Sequence, residues 1–127
     1  MPGAVRGVPR SLLRAEGGLV LLGAVGLYWH LGGSWLLFGV LLLAPDLSGL
    51  GYLAGPRAGA RAYNAAHTYL APALLALAGM RLPVLLTFAA IWIAHIAGDR
   101  LLGYGLKYAD SPGDTHLGAI GKQRRPL

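Results

Sequence analysis

What most limits this sequence is the length of its apolar blocks. Runs such as SWLLFGVLLLAPDLSGLGYLAG and PVLLTFAAIWIAHIAGDRLLGYGLKY do not alternate apolar with polar residues at a helical period. They are apolar all round, over lengths that match the roughly 20 residues a helix needs to cross a bilayer. Backbone polar groups inside hydrocarbon must be paired within the chain, which leaves helices or closed barrels, and the lack of period-two alternation excludes a barrel. The sequence therefore predicts an all-α, membrane-embedded four-helix bundle. Residues 1–127 form one domain, with spans at about 14–31, 34–55, 59–79 and 83–108 and a polar tail over 109–127. Composition agrees: 55% of residues are hydrophobic against 13% charged.

The positive charges then orient the bundle. Arg6, Arg10 and Arg14 precede the first span, Arg57 and Arg61 lie between the second and third, and Lys107, Lys122, Arg124 and Arg125 follow the fourth. The opposite loops offer only Arg81. Basic residues collect on the cytoplasmic side, so both termini are expected there, in a multi-pass protein of the cell inner (plasma) membrane. The net charge of +6 fits flanking residues that meet anionic head groups of the lipid bilayer. No groove-reading motif accompanies it, so nucleic acid is not an expected partner. Cysteine is absent, which removes disulfide and thiolate chemistry.

Placed on that topology, the polar residues gather at one depth. Glu16 opens the first span, Asp46 lies in the second half of the second, Asn64 and His67 enter the third, and His95 and Asp99 close the fourth. All fall in the cytoplasmic half, while the outer halves are nearly all Leu, Ala, Val, Gly and Phe. Asn64 and His67 are spaced i,i+3 and His95 and Asp99 i,i+4, so each pair shares a helix face. Helix bundles build metal sites from ligands at these spacings, and an ionisable residue inside a membrane is costly unless it is used. Imidazole with carboxylate suits a divalent metal, zinc ahead of manganese or iron.

Structural readings compete with this one. Asp99 can pair with Arg100 or Arg61, and the histidines can be packing residues bonded across helices. His30, with Tyr28, Trp29 and Trp35, fits the aromatic belt at the opposite interface, and Trp92 fits packing. In the tail, Asp110, Asp114 and His116 either cap the cytoplasmic mouth or stay in solvent.

The strings LAPDLSGLGYLAGPRAGARAYNAAHTYLAP, IAHIAGDRLLGYGLKY and DTHLG resemble a family of small bacterial integral membrane proteins of unknown function. That resemblance implies a four-helix membrane protein and carries no activity. Asp46 after Pro45, then NAAHTY and HIAGD, resemble more loosely the membrane-bound metal-dependent hydrolases. That second likeness implies Asp46, His67, His95 and Asp99 as metal-site residues. The chain departs from the pattern at Ser48, where a second aspartate is expected, and at Asn64, near a position where the pattern has His-Arg.

The leading expectation is a metal-dependent hydrolase acting on a lipid or membrane-partitioning substrate. Zinc on His67, His95 and one or two of Asp46 and Asp99 would lower the pKa of a bound water toward about 7. Glu16 or Asp46 would act as base, and Asn64, Arg61, Arg100 and His116 would contact substrate, arginine suiting a phosphate. The alternatives are a small proton-coupled transporter using Glu16, with dimerisation forming the path, and a non-catalytic membrane subunit. Self-association into a homo-oligomer is open in each case. The hydrolase reading depends on Glu16, Asp46, His67, His95 and Asp99 converging on one inward-facing pocket.

Overall fold

The computed structural model describes residues 3–109 and 113–119; Asp110, Lys122, Arg124 and Arg125 lie outside the described residues. The chain is an all-α bundle. Helix α1 (Gly7–His30) is followed by α2 (Trp35–Leu42), which continues as a 3₁₀ segment over Ala44–Ala54. Then come α3 (Pro56–His67), α4 (Leu70–Ala78) and α5 (Pro83–Leu102). A two-residue hairpin, β1 (Asp114–Thr115) with β2 (Gly118–Ala119), closes the described chain.

Three segments are long and apolar enough to cross a membrane: Gly7–His30, Trp35–Ala54 and Pro83–Leu102. The outward faces fit that property, since Leu19, Leu22, Leu36, Leu53, Leu70 and Met80 are all exposed. The third predicted span is instead broken. Thr68 takes an extended conformation (φ −97°, ψ 150°) between α3 and α4. Pro72 is the cause that the sequence carries, because a proline lacks the N–H that would bond the carbonyl four residues back, and its ring clashes with that carbonyl. The residue four back is Thr68.

Proline also sets the character of the second segment. Pro45 cannot donate a helical bond, and from there the chain tightens, with Asp46 N–H bonding the Leu43 carbonyl three residues back (3.1 Å). Runs of 3₁₀ helix beyond three or four residues are uncommon and often mark functional segments. The run packs on α3 through small residues: a Cβ on Gly51 would stand 2.7 Å from that of Ala62.

Two other boundaries differ from the sequence expectation. Helix α1 begins at Gly7 rather than near residue 14, so Arg10 and Arg14 lie inside it. Their Nε–H groups donate to the Leu117 and Leu101 carbonyls (2.6 and 2.8 Å), tying α1 to the tail and to the end of α5. Helix α5 stops at Leu102, not Tyr108, because Gly103 takes the left-handed conformation (φ 91°) and its N–H and that of Tyr104 return to the Arg100 and Asp99 carbonyls. Residues beyond it run alongside the tail, with Lys107 bridged to Thr115.

Helices α1 and α5 form the central pair, joined where Gly17 meets Ala97, Arg100 and Leu101. Tyr28 belongs to the core rather than to an aromatic belt. It is fully buried, its hydroxyl donates to the Ser34 carbonyl, and its ring packs against Trp35 and Phe38. A tyrosine this enclosed finds a backbone acceptor inside the fold instead of at a head group. Trp29 and His30 are exposed.

Candidate metal centre

Four side chains from three segments meet at one point. Asp46 comes from the start of the 3₁₀ run, His67 from the last residue of α3, and His95 and Asp99 from consecutive turns of α5. One ligand atom from each lies within 4.8 Å of all the others. The two imidazole Nε2 atoms are 3.0 Å apart. His67 Nε2 stands 3.3 Å from Asp46 Oδ1 and 3.5 Å from Asp99 Oδ2, and His95 Nε2 stands 3.2 Å from each. Donors about 2.0–2.1 Å from a tetrahedral ion would be separated by roughly 3.3 Å; the five separations that involve an imidazole match that edge, and the two carboxylates stand within 4.8 Å of each other.

The surroundings set the ring orientations. His67 Nδ1 bonds the Tyr63 carbonyl (2.8 Å), which puts its proton on Nδ1 and leaves the Nε2 lone pair facing the cluster. The Tyr63 ring stacks on the His67 ring, with centroids 3.7 Å apart and planes 6° from parallel. Backbone or carboxylate partners like the Tyr63 carbonyl fix the tautomer of metal-binding histidines. Breaking the helix at Thr68 frees the Ala66 and His67 carbonyls from helical partners, and α5 satisfies both. Trp92 Nε1–H donates to Ala66 (2.6 Å) and Arg100 donates to His67 (3.0 Å). The helix break and its repair thus hold His67 against α5.

Exposure is uneven across the cluster. Both histidines are buried, Asp99 is partly covered, and the Asp46 side chain is 56% exposed. The centre is closed on the protein side and open at Asp46. An apolar cavity of about 340 Å³ adjoins it, walled by Leu41, Pro45, Ala66, Phe88, Ile91 and Trp92. Trp92, expected only to pack, both lines this cavity and anchors its wall.

The other expected site residues lie elsewhere. Glu16 does not join the cluster. The contact of α1 with α5 runs through buried Gly17, and Glu16, one residue round the helix, is exposed beside a separate 240 Å³ cavity with Tyr69, Arg100 and His116. Asn64 shares a helix with His67 but turns to the chain after α5: its amide donates to the Lys107 carbonyl (2.8 Å) and accepts from the Lys107 N–H (2.6 Å). Arg61 is exposed. Asp99 faces the imidazoles.

The tail folds back, but His116 closes a different contact. Its Nδ1 accepts the Leu106 N–H (2.9 Å), so the neutral ring carries its proton on Nε2. Arg100 lies 3.1 and 3.4 Å from the two ring nitrogens, and these near-equal distances place the guanidinium over the ring face. Burial lowers the His116 pKa below its ordinary value, and Arg100 adds to the shift. The unfolded ring binds a proton more readily than the folded one, so this contact contributes stability above about pH 6.5 that is lost as pH falls. Protection of the Leu106 amide from hydrogen exchange is expected to weaken on acidification through that range, beyond the change in intrinsic exchange. In His116→Ala it is expected to be weak throughout.

Lys107, in the sequence only one of the charges that follow the fourth span, joins the surroundings of the cluster. Its ammonium lies 4.7 Å from the Tyr63 ring centroid, on the residue that stacks on His67, and within electrostatic reach of Asp99. The departures of α5 at Gly103 and of Asn64 toward the tail together bring it there. Neither is visible as a spacing in the sequence.

Residues 10–120 match the family described as Domain of unknown function (DUF4260). The chain belongs to that family. No curated protein and no solved structure matches it. All four cluster residues, and the apolar cavity beside them, fall inside the matched segment.

Proposed function

We propose that this DUF4260 protein is a multi-pass protein of the cell inner membrane that holds one zinc ion on its His/Asp cluster and hydrolyses a lipid or membrane-partitioning substrate. The observation that carries the reading is the convergence of two imidazoles and two carboxylates, from Asp46, His67, His95 and Asp99, with one donor atom of each within 4.8 Å of the others. The composition of the set suits zinc, and the positive charges at residues 6–14, 57–61 and 107 favour a cytoplasmic position for both termini. A divalent ion held there supplies Lewis acidity and makes water a nucleophile at neutral pH.

The chain's own residues divide the remaining work. Catalytic sites keep three protein ligands and one open position. His67, His95 and Asp99, the less exposed members, serve as the three ligands. Asp46, on the open side, takes the proton from the attacking water as general base. It replaces Glu16 in that role, because Glu16 opens onto the other cavity. Arg100 acts by positioning, holding the His67 carbonyl rather than a substrate.

The test is hydrolysis of bilayer lipids by the purified protein in liposomes. Activity is expected to disappear with a strong chelator and return with added zinc. Asp46→Asn is expected to lower turnover by about 10²–10⁴-fold, the usual contribution of a positioned base, while the metal is retained. A folded preparation that carries no metal and takes up none would end this reading.

A further inference from the structure

The stripe of α5 that carries His95 and Asp99 continues toward the start of the helix. Phe88, Ile91, Trp92, His95 and Asp99 recur at intervals of three and four, so they lie along one face. Phe88, Ile91 and Trp92 wall the apolar cavity, which begins roughly 10 Å before the cluster at 1.5 Å rise per residue. Past the cluster, beyond the end of the helix, stands Lys107 over Tyr63. The cavity therefore adjoins the metal centre on one side, and the cation stands on the ring that stacks on His67.

We propose that this arrangement is the footprint of an anionic single-chain lipid, its hydrocarbon chain in the cavity between Leu41, Pro45, Ala66 and Trp92 and its phosphate-type headgroup toward Lys107. The inference rests on the hydrolase reading and narrows it: the bond presented to the centre is the one joining chain to anionic head.

Three observations fit the cavity to a chain rather than to a polar ligand. Its volume lies within the roughly 300–1,000 Å³ of ligand pockets. Its two polar wall groups are already engaged, Ser48 Oγ–H with the Pro45 carbonyl (2.7 Å) and Trp92 Nε1–H with the Ala66 carbonyl. It also joins the centre through three stretches of chain at once, since Pro45 precedes Asp46, Ala66 precedes His67, and Trp92 lies one turn before His95. The charge at the other end is complementary to an anion, and a lysine suits phosphate as a compact point charge.

Trp92 supplies the readout. In a Trp29→Phe/Trp35→Phe background it is the only tryptophan, and a probe with bromine at the end of its chain will quench it on entering the cavity. The probe is ω-bromoundecylphosphonate, whose carbon–phosphorus head is not hydrolysed, with ω-bromoundecyltrimethylammonium as the comparison of opposite charge. Saturable quenching by the phosphonate is expected at concentrations about ten-fold below those of the ammonium, the equivalent of about 1.4 kcal/mol. Ala66→Phe, or Ala44→Phe at the more exposed wall, is expected to abolish saturation without changing the metal content. Lys107→Gln is expected to remove the head preference and keep the chain-dependent quenching.

Equal quenching by the two heads in the unsubstituted cavity, or unchanged saturation in both phenylalanine variants, would overturn the proposal. A preparation that hydrolyses lipid but shows no saturable quenching overturns the chain seat alone. Saturable, head-selective quenching without any hydrolysis supports the seat and removes the hydrolase reading.

Discussion

Alanine in place of His67 is expected to leave the purified protein with less than about a tenth of a metal equivalent, where the parent chain holds about one. Losing a partner of a metal ligand already weakens binding by about 10–100-fold, and losing the ligand itself goes further. His67 is the most strongly pre-set member of the cluster. Its proton is committed to the Tyr63 carbonyl, its ring is stacked on Tyr63, and its own carbonyl is held by Arg100. Little conformational freedom remains for the metal to remove. His30→Ala, at the exposed end of α1, is expected to keep the full equivalent.

The same prediction separates two chemical states that fit one set of coordinates. The cluster can hold a cation, or it can share a proton: the one Nε2–H of His95 has three alternative acceptors, a carboxylate oxygen of Asp46 or of Asp99 at 3.2 Å and the bare Nε2 of His67 at 3.0 Å. In the proton-sharing state the parent chain carries no metal, and His67→Ala changes nothing that elemental analysis reads. In the metal-holding state, uptake displaces the shared proton, so titration of the stripped protein with zinc releases acid into the buffer. Measuring metal content and proton release on the same preparation decides between them. A parent chain that retains less than a tenth of an equivalent and releases no acid on titration would exclude the metal centre.

The i,i+4 spacing of His95 and Asp99 was legible because α5 is a regular helix, in which spacing fixes the face. Two helices earlier, on α3, the i,i+3 spacing did not bring Asn64 into the cluster. Asn64 and His67 share a face of α3, but the end of α5 turns back at Gly103 and places the Lys107 backbone within reach of the Asn64 amide. The Asn64 amide, expected to contact substrate, donates to and accepts from the Lys107 backbone there and so clasps the chain after α5. The charges have a second use that their positions in the sequence do not show. Arg10 and Arg14 satisfy the general rule for basic flanks, yet each also supplies a donor to a carbonyl that α5 or the tail leaves open. Topology statistics count charges, whereas the fold uses their hydrogen-bonding geometry. The break at Thr68 was available from Pro72, but its consequence was not, because only the packed structure shows Trp92 and Arg100 taking up the carbonyls that the break releases.

Depth alone grouped Glu16 with the metal-site residues, and one helical position removes it. That makes Gly17 the decisive residue of α1, and its substitution is expected to be strongly damaging. A Cβ at Gly17 would stand 2.7 Å from Arg100 Cβ and 3.0 Å from both the Ala97 carbonyl oxygen and the Leu101 nitrogen. Two of these are backbone atoms of a regular helix, which cannot yield by changing rotamer. Gly17→Ala must therefore push α1 away from α5. Overpacking costs about 1–3 kcal/mol. The displacement also stretches the bonds from Arg10 and Arg14, and hydrogen bonds to charged groups contribute about 1.5–3 kcal/mol each. A fall in unfolding free energy of about 3 kcal/mol or more follows, together with weaker metal retention, because Asp99 lies on the turn of α5 that α1 supports. The neighbouring glycines supply the scale. At Gly18 a Cβ meets only the Leu101 side chain, at 3.2 Å, and at Gly23 it meets nothing within 4 Å. Alanine at Gly23 should stabilise the helix by roughly 0.5–1 kcal/mol through lost backbone freedom. The order of unfolding temperatures in detergent is therefore Gly23→Ala above the parent chain, Gly18→Ala below it and Gly17→Ala far lower. If Gly17→Ala matched Gly23→Ala, α1 would not lie on α5 at this turn, and Glu16 would return as a candidate for the centre.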